Sequence, residues 1–376
     1  MQQWLSLKAS SLARFLRNLS RDHGVFAPLR LNGSTSFKPI AFLDEGYELD
    51  VDRIPTHYSA KKFFLPPKEA LFDWELLPHK VEVKPSLPSL AELESRPKKI
   101  IFGIRGCDVA AVDFMNQFFG QKYADPYYAN NAARTAKITL ACPRESKYCF
   151  CRTYGTWTRV KDADVVMVPA SRSTFTLRAS TRLGEEILSK NKGLLKTASG
   201  AEVKRAEKML QEGPKENGSR LLPIEKLQAF LALDEHKMLE SKEWVKVGEK
   251  CFACAACTLV CPTCSCFDSV EEPNLDFRSG TRNRVWDSCM LMDFTRMAGD
   301  YYARRDITAR LRWRILHKLR YPTERFGLNG CVGCGRCIEI CLADIDHRKV
   351  ATGVLKERLK QQAEQAKKQG KGKTER

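Results

Sequence analysis

Cys251-Phe-Ala-Cys254-Ala-Ala-Cys257-Thr-Leu-Val-Cys261-Pro262 is answered, across 69 intervening residues, by Cys331-Val-Gly-Cys334-Gly-Arg-Cys337-Ile-Glu-Ile-Cys341. Both runs have the spacing C-x2-C-x2-C-x3-C. Three thiolates three residues apart wrap one corner of a cubane [4Fe–4S] cluster. The fourth stands one turn along a helix that starts at the third, points away, and serves the other cluster of a pair. The spacing therefore predicts one cluster on Cys251, Cys254, Cys257 and Cys341, and a second on Cys331, Cys334, Cys337 and Cys261. Pro262 is the residue that usually follows the fourth cysteine; Leu342 stands in its place in the second run. Ala253, Ala255, Ala256, Gly333 and Gly335 are small, as a backbone close to a cluster requires. Zinc on four thiolates is the competing reading, but zinc sites generally use paired C-x2-C knuckles, not a run of four.

Working outward, the gap between the runs is much longer than in compact two-cluster ferredoxins, so residues 251–350 read as a dicluster module with a helical insertion. Residues 1–195 read as an α/β domain. Val25–Leu31 and Pro39–Leu43 are strand-like. Lys99–Ile104 is a continuous apolar strand closed by a turn at Arg105–Asp108, and Val109–Phe119 follows with helical spacing. Lys137–Ala141 and Ala163–Val168 are further buried-strand candidates, which together predict a small parallel or mixed sheet. Residues 196–250 form a polar helical linker (Ala201–Gln211, Pro223–Leu233) with a break at Glu212–Ser219. Residues 351–376 are a basic tail, helical from about Val354 to Lys368 before it frays. The expected fold class is α+β: an N-terminal α/β domain followed by an α-helical ferredoxin-like dicluster domain.

The chain has 376 residues, 15 cysteines and a formal net charge of +18. Its cysteine usage fits clusters assembled in a reducing cytosol rather than disulfides, so a cytoplasmic location is expected. No apolar run approaches the length of a membrane span. The N-terminal stretch from Trp4 to Leu19 reads as a basic amphipathic helix packed on a sheet. It has no cleavage-site pattern, so a secretory signal is not expected; a transit peptide is the minor alternative. Residues 301–330 hold eight Lys and Arg against two acids, within a run from Tyr301 to Arg320 that looks helical. Such charge suits nucleic acid in some proteins. Beside clusters it fits acidic redox partners or shielding of the clusters themselves, and no nucleic-acid partner is expected. The tail holds eight such residues against three from Val354 onward and reads as a solvated end.

Seven cysteines lie outside the two runs. Cys107, Cys142, Cys149 and Cys151 fall at strand ends and in a loop, where α/β sheets gather ligands. They are one complete set for a third iron–sulfur cluster, or buried structural thiols. Cys264, Cys266 and Cys289 follow or lie between the runs and read as packing or hydrogen-bonding groups near the clusters. No Gly-x-Gly-x-x-Gly fingerprint is present, so the chain carries no nicotinamide site of that kind. No [NiFe] ligand set is recognisable either.

Cys261-Pro-Thr-Cys-Ser-Cys-Phe-Asp268, Trp286-Asp-Ser-Cys289, Asp293-Phe-Thr-Arg-Met-Ala-Gly299 and Cys331-Val-Gly-Cys-Gly-Arg-Cys337 resemble the β subunits of soluble sulfhydrogenases, a family that also embraces an iron–sulfur component of anaerobic sulfite reductase. Ala60-Lys-Lys-Phe-Phe-Leu-Pro-Pro67, Phe102-Gly-Ile-Arg-Gly-Cys-Asp108, Asp125-Pro-Tyr-Tyr128 and Cys149-Phe-Cys151 extend the resemblance to about residues 60–345. The family often has Pro where Gly106 stands, and a Gly/Pro-rich stretch where Arg152–Trp157 stands. The resemblance implies a non-catalytic electron-transfer subunit in a hetero-oligomer. Such a subunit exchanges electrons with an NAD(P)H-linked flavoprotein and passes them to a [NiFe] hydrogenase or a sirohaem sulfite reductase. The alternative from another class is the iron–sulfur subunit of a heterodisulfide- or quinone-reductase-like complex, in which Cys264, Cys266 and Cys289 would do chemistry.

Overall fold

The computed structural model describes residues 3–89, 98–218 and 222–371. Helices and strands are mixed, as an α+β chain requires. The strands that matter are β1 (Leu5–Lys8), β2 (Gly24–Leu31), β3 (Ser34–Pro39), β4 (Glu48–Leu49), β5 (Lys68–Leu77), β6 (Lys80–Pro85), β7 (Lys99–Ile104), β8 (Thr135–Leu140), β9 (Val165–Pro169), β10 (Thr174–Ala179), β11 (Leu195–Thr197), β12 (Phe267–Pro273) and β13 (Ser279–Trp286). A nine-stranded mixed sheet runs β11-β1-β10-β9-β8-β7-β2-β3, with β4 beside β2. Its centre is parallel (β2 with β7, β7 with β8, β8 with β9) and its flanks are antiparallel.

Parallel strands covered on both faces read as unbroken apolar runs, and here Ile100–Phe102 and Val165–Val168 are buried throughout. One face packs on the helix Leu12–Leu19, whose Leu12, Phe15, Leu16 and Leu19 recur at i, i+3, i+4 and i+7 and form one buried stripe. The other face meets the helix Gly106–Phe119 through Val109, Val112 and Met115 against Ile101 and Ile104, and the helix Gly200–Glu212 through Ala206 and Leu210 against Val166 and Val168.

The sequence expectations need correction at several element ends. The N-terminal stretch is not one helix. Leu5 and Leu7 alternate on β1, which is paired on both sides, and the α-helix starts only at Leu12. The strand expected at Pro39–Leu43 ends at Pro39 and passes into a 3-10 turn, Ile40–Glu45. Arg105–Asp108 is not a free turn: the helix begins at Gly106, and the Asp108 carboxylate accepts from the Arg105 N–H at 3.2 Å, satisfying a donor left over at the helix start.

The insertion between the cysteine runs is not wholly helical. Its first part is the hairpin β12–β13, which joins β5 and β6 in a second sheet of order β12-β13-β5-β6. Buried Arg284 on β13 pairs with both Glu69 and Asp125 and so ties the hairpin to the N-terminal half. The long basic helix runs Ile307–Leu319. Asp306 caps it by accepting from the Ala309 N–H at 2.8 Å, while Tyr301–Tyr302 instead pairs as a short ladder with Arg296–Met297. The C-terminal helix starts at His347, and Val350, Ala351, Val354 and Leu355 are buried, so its first turns belong to a core. That core also holds Phe230, Met238, Trp244, Leu311, Ile315 and Leu316. The Ser219 end of the expected break and the fraying end of the tail beyond Lys371 lie outside the described residues. Among the described residues no helix is long and apolar enough to cross a membrane.

Candidate metal centre

The two cysteine runs fold into the same loop twice. Ala253 and Ala255 in the first, and Gly333 and Gly335 in the second, all have positive φ (51°, 63°, 67° and 77°). The backbone thus turns back on itself at matching positions. Non-glycine residues in this region cost of order 1 kcal/mol each, and the first loop carries two of them. In both loops the N–H two residues after the first cysteine donates to its sulfur at 3.4 Å: Ala253 to Cys251, and Gly333 to Cys331. The fourth cysteines follow one-turn helices, Ala256–Leu259 and Arg336–Glu339.

The difference between the loops has a packing reason. A Cβ on Gly333 would lie 2.6 Å from the Phe150 carbonyl oxygen, and one on Gly335 would lie 2.5 Å from that of Tyr148. The second loop is pressed against the chain around residue 150 and has room for glycine alone; the first is not.

Cys251, Cys254, Cys257 and Cys341 line one cavity, walled by Met290, Leu311 and Ile315. Cys341 is among the charges acting on both Cys251 and Cys257. In the same way Cys261 acts on each of Cys331, Cys334 and Cys337. Cys341 therefore lies with the first three thiols of the other run, and Cys261 lies close to Cys331, Cys334 and Cys337 as well as to Cys257 of its own run. Cys337 also reaches the wall of the first cavity, so the two sets adjoin. Burial pushes Cys251, Cys257, Cys331, Cys334 and Cys337 up, Cys334 to about 12 with Arg336 opposing and Cys257 with Arg314 opposing, whereas a hydrogen bond from Cys264 holds Cys261 well below its ordinary value. Thiols of this kind bind a metal by giving up protons to it. Among the described residues no three His, Cys, Asp or Glu side chains are grouped to hold a single ion.

The cations around these thiols are the feature that fits an anionic cluster. Arg310, Arg314 and Lys318 recur every four residues on the basic helix and are all buried. Arg314 donates to the Cys257 carbonyl oxygen at 3.2 Å, and its Nε has no hydrogen-bond partner among the described residues. Although burial alone would pull it down, Arg314 is held well above its ordinary value by Cys264, Cys261, Cys257 and Cys337. Lys318 Nζ donates to both Thr263 oxygens at 3.0 Å. Neither Arg314 nor Lys318 has a carboxylate partner among the described residues. A buried, unpaired cation is costly; a thiolate-ligated cluster beside it supplies the missing negative charge.

This decides which of two roles the basic helix plays in its central part. Arg310 and Arg314 point inward and do not form a docking surface. Arg314→Gln should therefore shift the cluster potentials to more negative values, because reduction adds charge that Arg314 no longer offsets. One unit charge over several ångströms at an effective dielectric near 20 gives a shift on the order of 100 mV. Redox titration at low and high salt checks it. The shift should be the same at both, and one that disappears in high salt would place the residue at an exposed interface.

Lys61 was not singled out by the sequence. It is buried, its Nζ donates to the Cys264 carbonyl oxygen at 3.1 Å, and it lies 3.9 Å from the centre of the Trp286 ring. The segments 60–67, 261–268 and 286–289 thus meet at one place, although 203 residues separate Lys61 from Cys264. There Cys264 is hydrogen-bonded to Cys261, and Cys266 to Cys289. The bond from Cys289 holds Cys266 down, to about 6, and Cys289 itself is pushed up. No spacing rule signals this buried thiol group. Cys107, Cys142, Cys149 and Cys151 come together elsewhere, on the wall of a single cavity.

The family model described as "4Fe-4S dicluster domain" matches residues 250–345. The chain is also similar to sulfhydrogenase 2 subunit beta of Pyrococcus furiosus, at 28% identity over 348 residues, which are 93% of this chain and 97% of the other.

Proposed function

From its similarity to a sulfhydrogenase β subunit over nearly its whole length and its match to a 4Fe-4S dicluster domain, we propose that this chain relays electrons from an NAD(P)H-linked flavoprotein to a catalytic subunit, either a [NiFe] hydrogenase or a sirohaem sulfite reductase, or in the reverse direction. In this reading Cys251, Cys254, Cys257 and Cys341 hold the first [4Fe–4S] cluster, and Cys331, Cys334, Cys337 and Cys261 the second. Each cluster supplies one-electron storage. The protein's own part is to fix their spacing, to donate N–H groups to the sulfurs, and to set the potentials with buried cations. The observation that carries the reading is Arg314. It is a fully buried cation without a carboxylate, placed among the thiols of both sets. The domains proposed are an N-terminal α/β unit (1–195), a helical linker (196–250), the dicluster module (251–350) and a basic tail (351–376), in a reducing cytosol.

The first set supplies an exit to a partner. Cys254 is exposed, and beside it Phe252 and Leu342 stand 70% and 81% exposed. Large apolar side chains left in water next to a redox centre mark a contact surface. Leu342→Glu should leave iron content unchanged and cut electron transfer through the assembled complex at least tenfold, roughly the effect of a 1.4 kcal/mol loss in docking. Anaerobic purification with native mass spectrometry tests the larger proposal. NAD(P)H should reduce the clusters only when the flavoprotein co-purifies. A chain that oxidises NAD(P)H alone would sink it.

The heterodisulfide- or quinone-reductase alternative draws less support. It needs Cys264, Cys266 and Cys289 to meet a substrate, and Cys264 and Cys289 are buried.

A further inference from the structure

Four thiols that the dicluster does not use line one cavity, as the first cysteine set lines another. They are all the cysteines of residues 1–250. Cys107 lies in the first turn of the helix after β7, and Cys142 lies two residues past the end of β8. These strands are parallel neighbours, so their ends meet on one edge of the sheet. Cys149 and Cys151 come from the loop that follows. We propose that Cys107, Cys142, Cys149 and Cys151 bind a third [4Fe–4S] cluster, joined to the dicluster through the loop Cys331–Cys337.

The donor chemistry matches. Four thiols are a full ligand set for a cubane, and each would release its proton on binding. The wall also repeats the signature of the dicluster, a buried arginine without a carboxylate. Arg105 is 2% exposed, spends its terminal nitrogens on the carbonyl oxygens of Leu140 (3.1 Å), Val51 (2.7 Å) and Arg53 (3.3 Å), and has an Nε with no partner among the described residues. Glu145 is the one opposing charge among the described residues of this wall, 3.7 Å from the Cys151 sulfur, and it also accepts from the Asn217 N–H at 3.1 Å.

The backbone that borders this site is closely fitted. A Cβ on residue 106 would lie 2.6 Å from the Trp157 carbonyl oxygen, so Gly106 admits the 156–157 backbone. The Trp157 ring in turn fills the space beside Gly213, where a Cβ would lie 2.7 Å from it.

The site is bolted to the second cysteine loop. The Cys149 thiol donates to the Cys334 carbonyl oxygen at 3.6 Å, and the Phe150 N–H donates to the Gly333 carbonyl oxygen at 2.8 Å. Arg336, between Cys334 and Cys337, forms a buried ion pair with Asp108, the neighbour of Cys107. An electron entering at the third cluster would pass singly to the second, then the first, then the exposed edge at Cys254, with no proton or bond exchanged. This ordering rests on the dicluster reading; the iron site itself does not.

The test uses the full chain, reconstituted anaerobically with iron and sulfide, and the variant Cys107→Ser/Cys142→Ser. Wild type should hold about twelve irons and twelve labile sulfides, four for each cluster. The variant should hold about eight and keep the coupled EPR signal of the dicluster. A wild-type count of about eight with the dicluster signal intact overturns the third cluster, whether or not the variant folds. So does one bound zinc with an unchanged sulfide count. Because the variant reports the dicluster by itself, its eight irons separate a failure at this site from a failure of the dicluster reading.

Discussion

Cys341→Ser is expected to abolish the cluster held by Cys251, Cys254 and Cys257 while the other survives, and Cys261→Ser is expected to do the reverse. In sequence, the fourth cysteine of each run lies past a helical turn that points it away from its own loop. In the structure, Cys341 lines the cavity of the first three thiols, and Cys261 acts on Cys331, Cys334 and Cys337. Each variant should lose about four irons and one of the two interacting EPR signals. Serine perturbing only the cluster of its own run would show the ligation to be uncrossed. The crossing also closes a loop across 69 residues, so either loss should loosen the whole insertion.

Arg336→Ala carries the largest expected cost in stability. Arg336 and Asp108 are 1% and 2% exposed and pair at 2.8 Å, and the same guanidinium donates to the Thr56 carbonyl oxygen at 2.8 Å. Removing one partner leaves a charge buried without compensation, which typically costs ~3–5 kcal/mol. The second variant makes the point specific. Arg336→Met with Asp108→Leu removes both charges together and should recover most of the loss, because nothing charged is left unpaired. Anaerobic denaturant unfolding measures both. A single variant within about 1 kcal/mol of wild type would mean that the pair does not hold the N-terminal half to the cysteine loop.

The runs Cys251–Cys261 and Cys331–Cys341 were legible because cluster ligation is local: a fixed spacing and small residues suffice to announce it. The central strands were legible for a similar reason, since Lys99–Ile104 is an unbroken apolar run that only a strand covered on both faces explains. Boundaries were less so. Leu5 and Leu7 fit a helical stripe as well as an alternating strand, and pairing with β10 and β11 decided between them. The hairpin β12–β13 was missed because its partner, β5, lies about two hundred residues earlier, and no local pattern carries that pairing. The inward face of the basic helix could have been read. Arg310, Arg314 and Lys318 share the 3.6-residue period with Leu311, Ile315 and Leu319, so the charges run along the edge of the apolar stripe rather than opposite it. Lys61 could not have been read, because its role exists only where Cys264 and Trp286 arrive beside it.

The most direct test of the central claim, that the paired cysteine runs hold two [4Fe–4S] clusters, is metal and sulfide analysis with EPR on anaerobically prepared protein. At least about eight irons and eight acid-labile sulfides per chain are expected, with magnetically coupled cluster signals on reduction. Bound zinc without labile sulfide, and no signal on reduction, would contradict it.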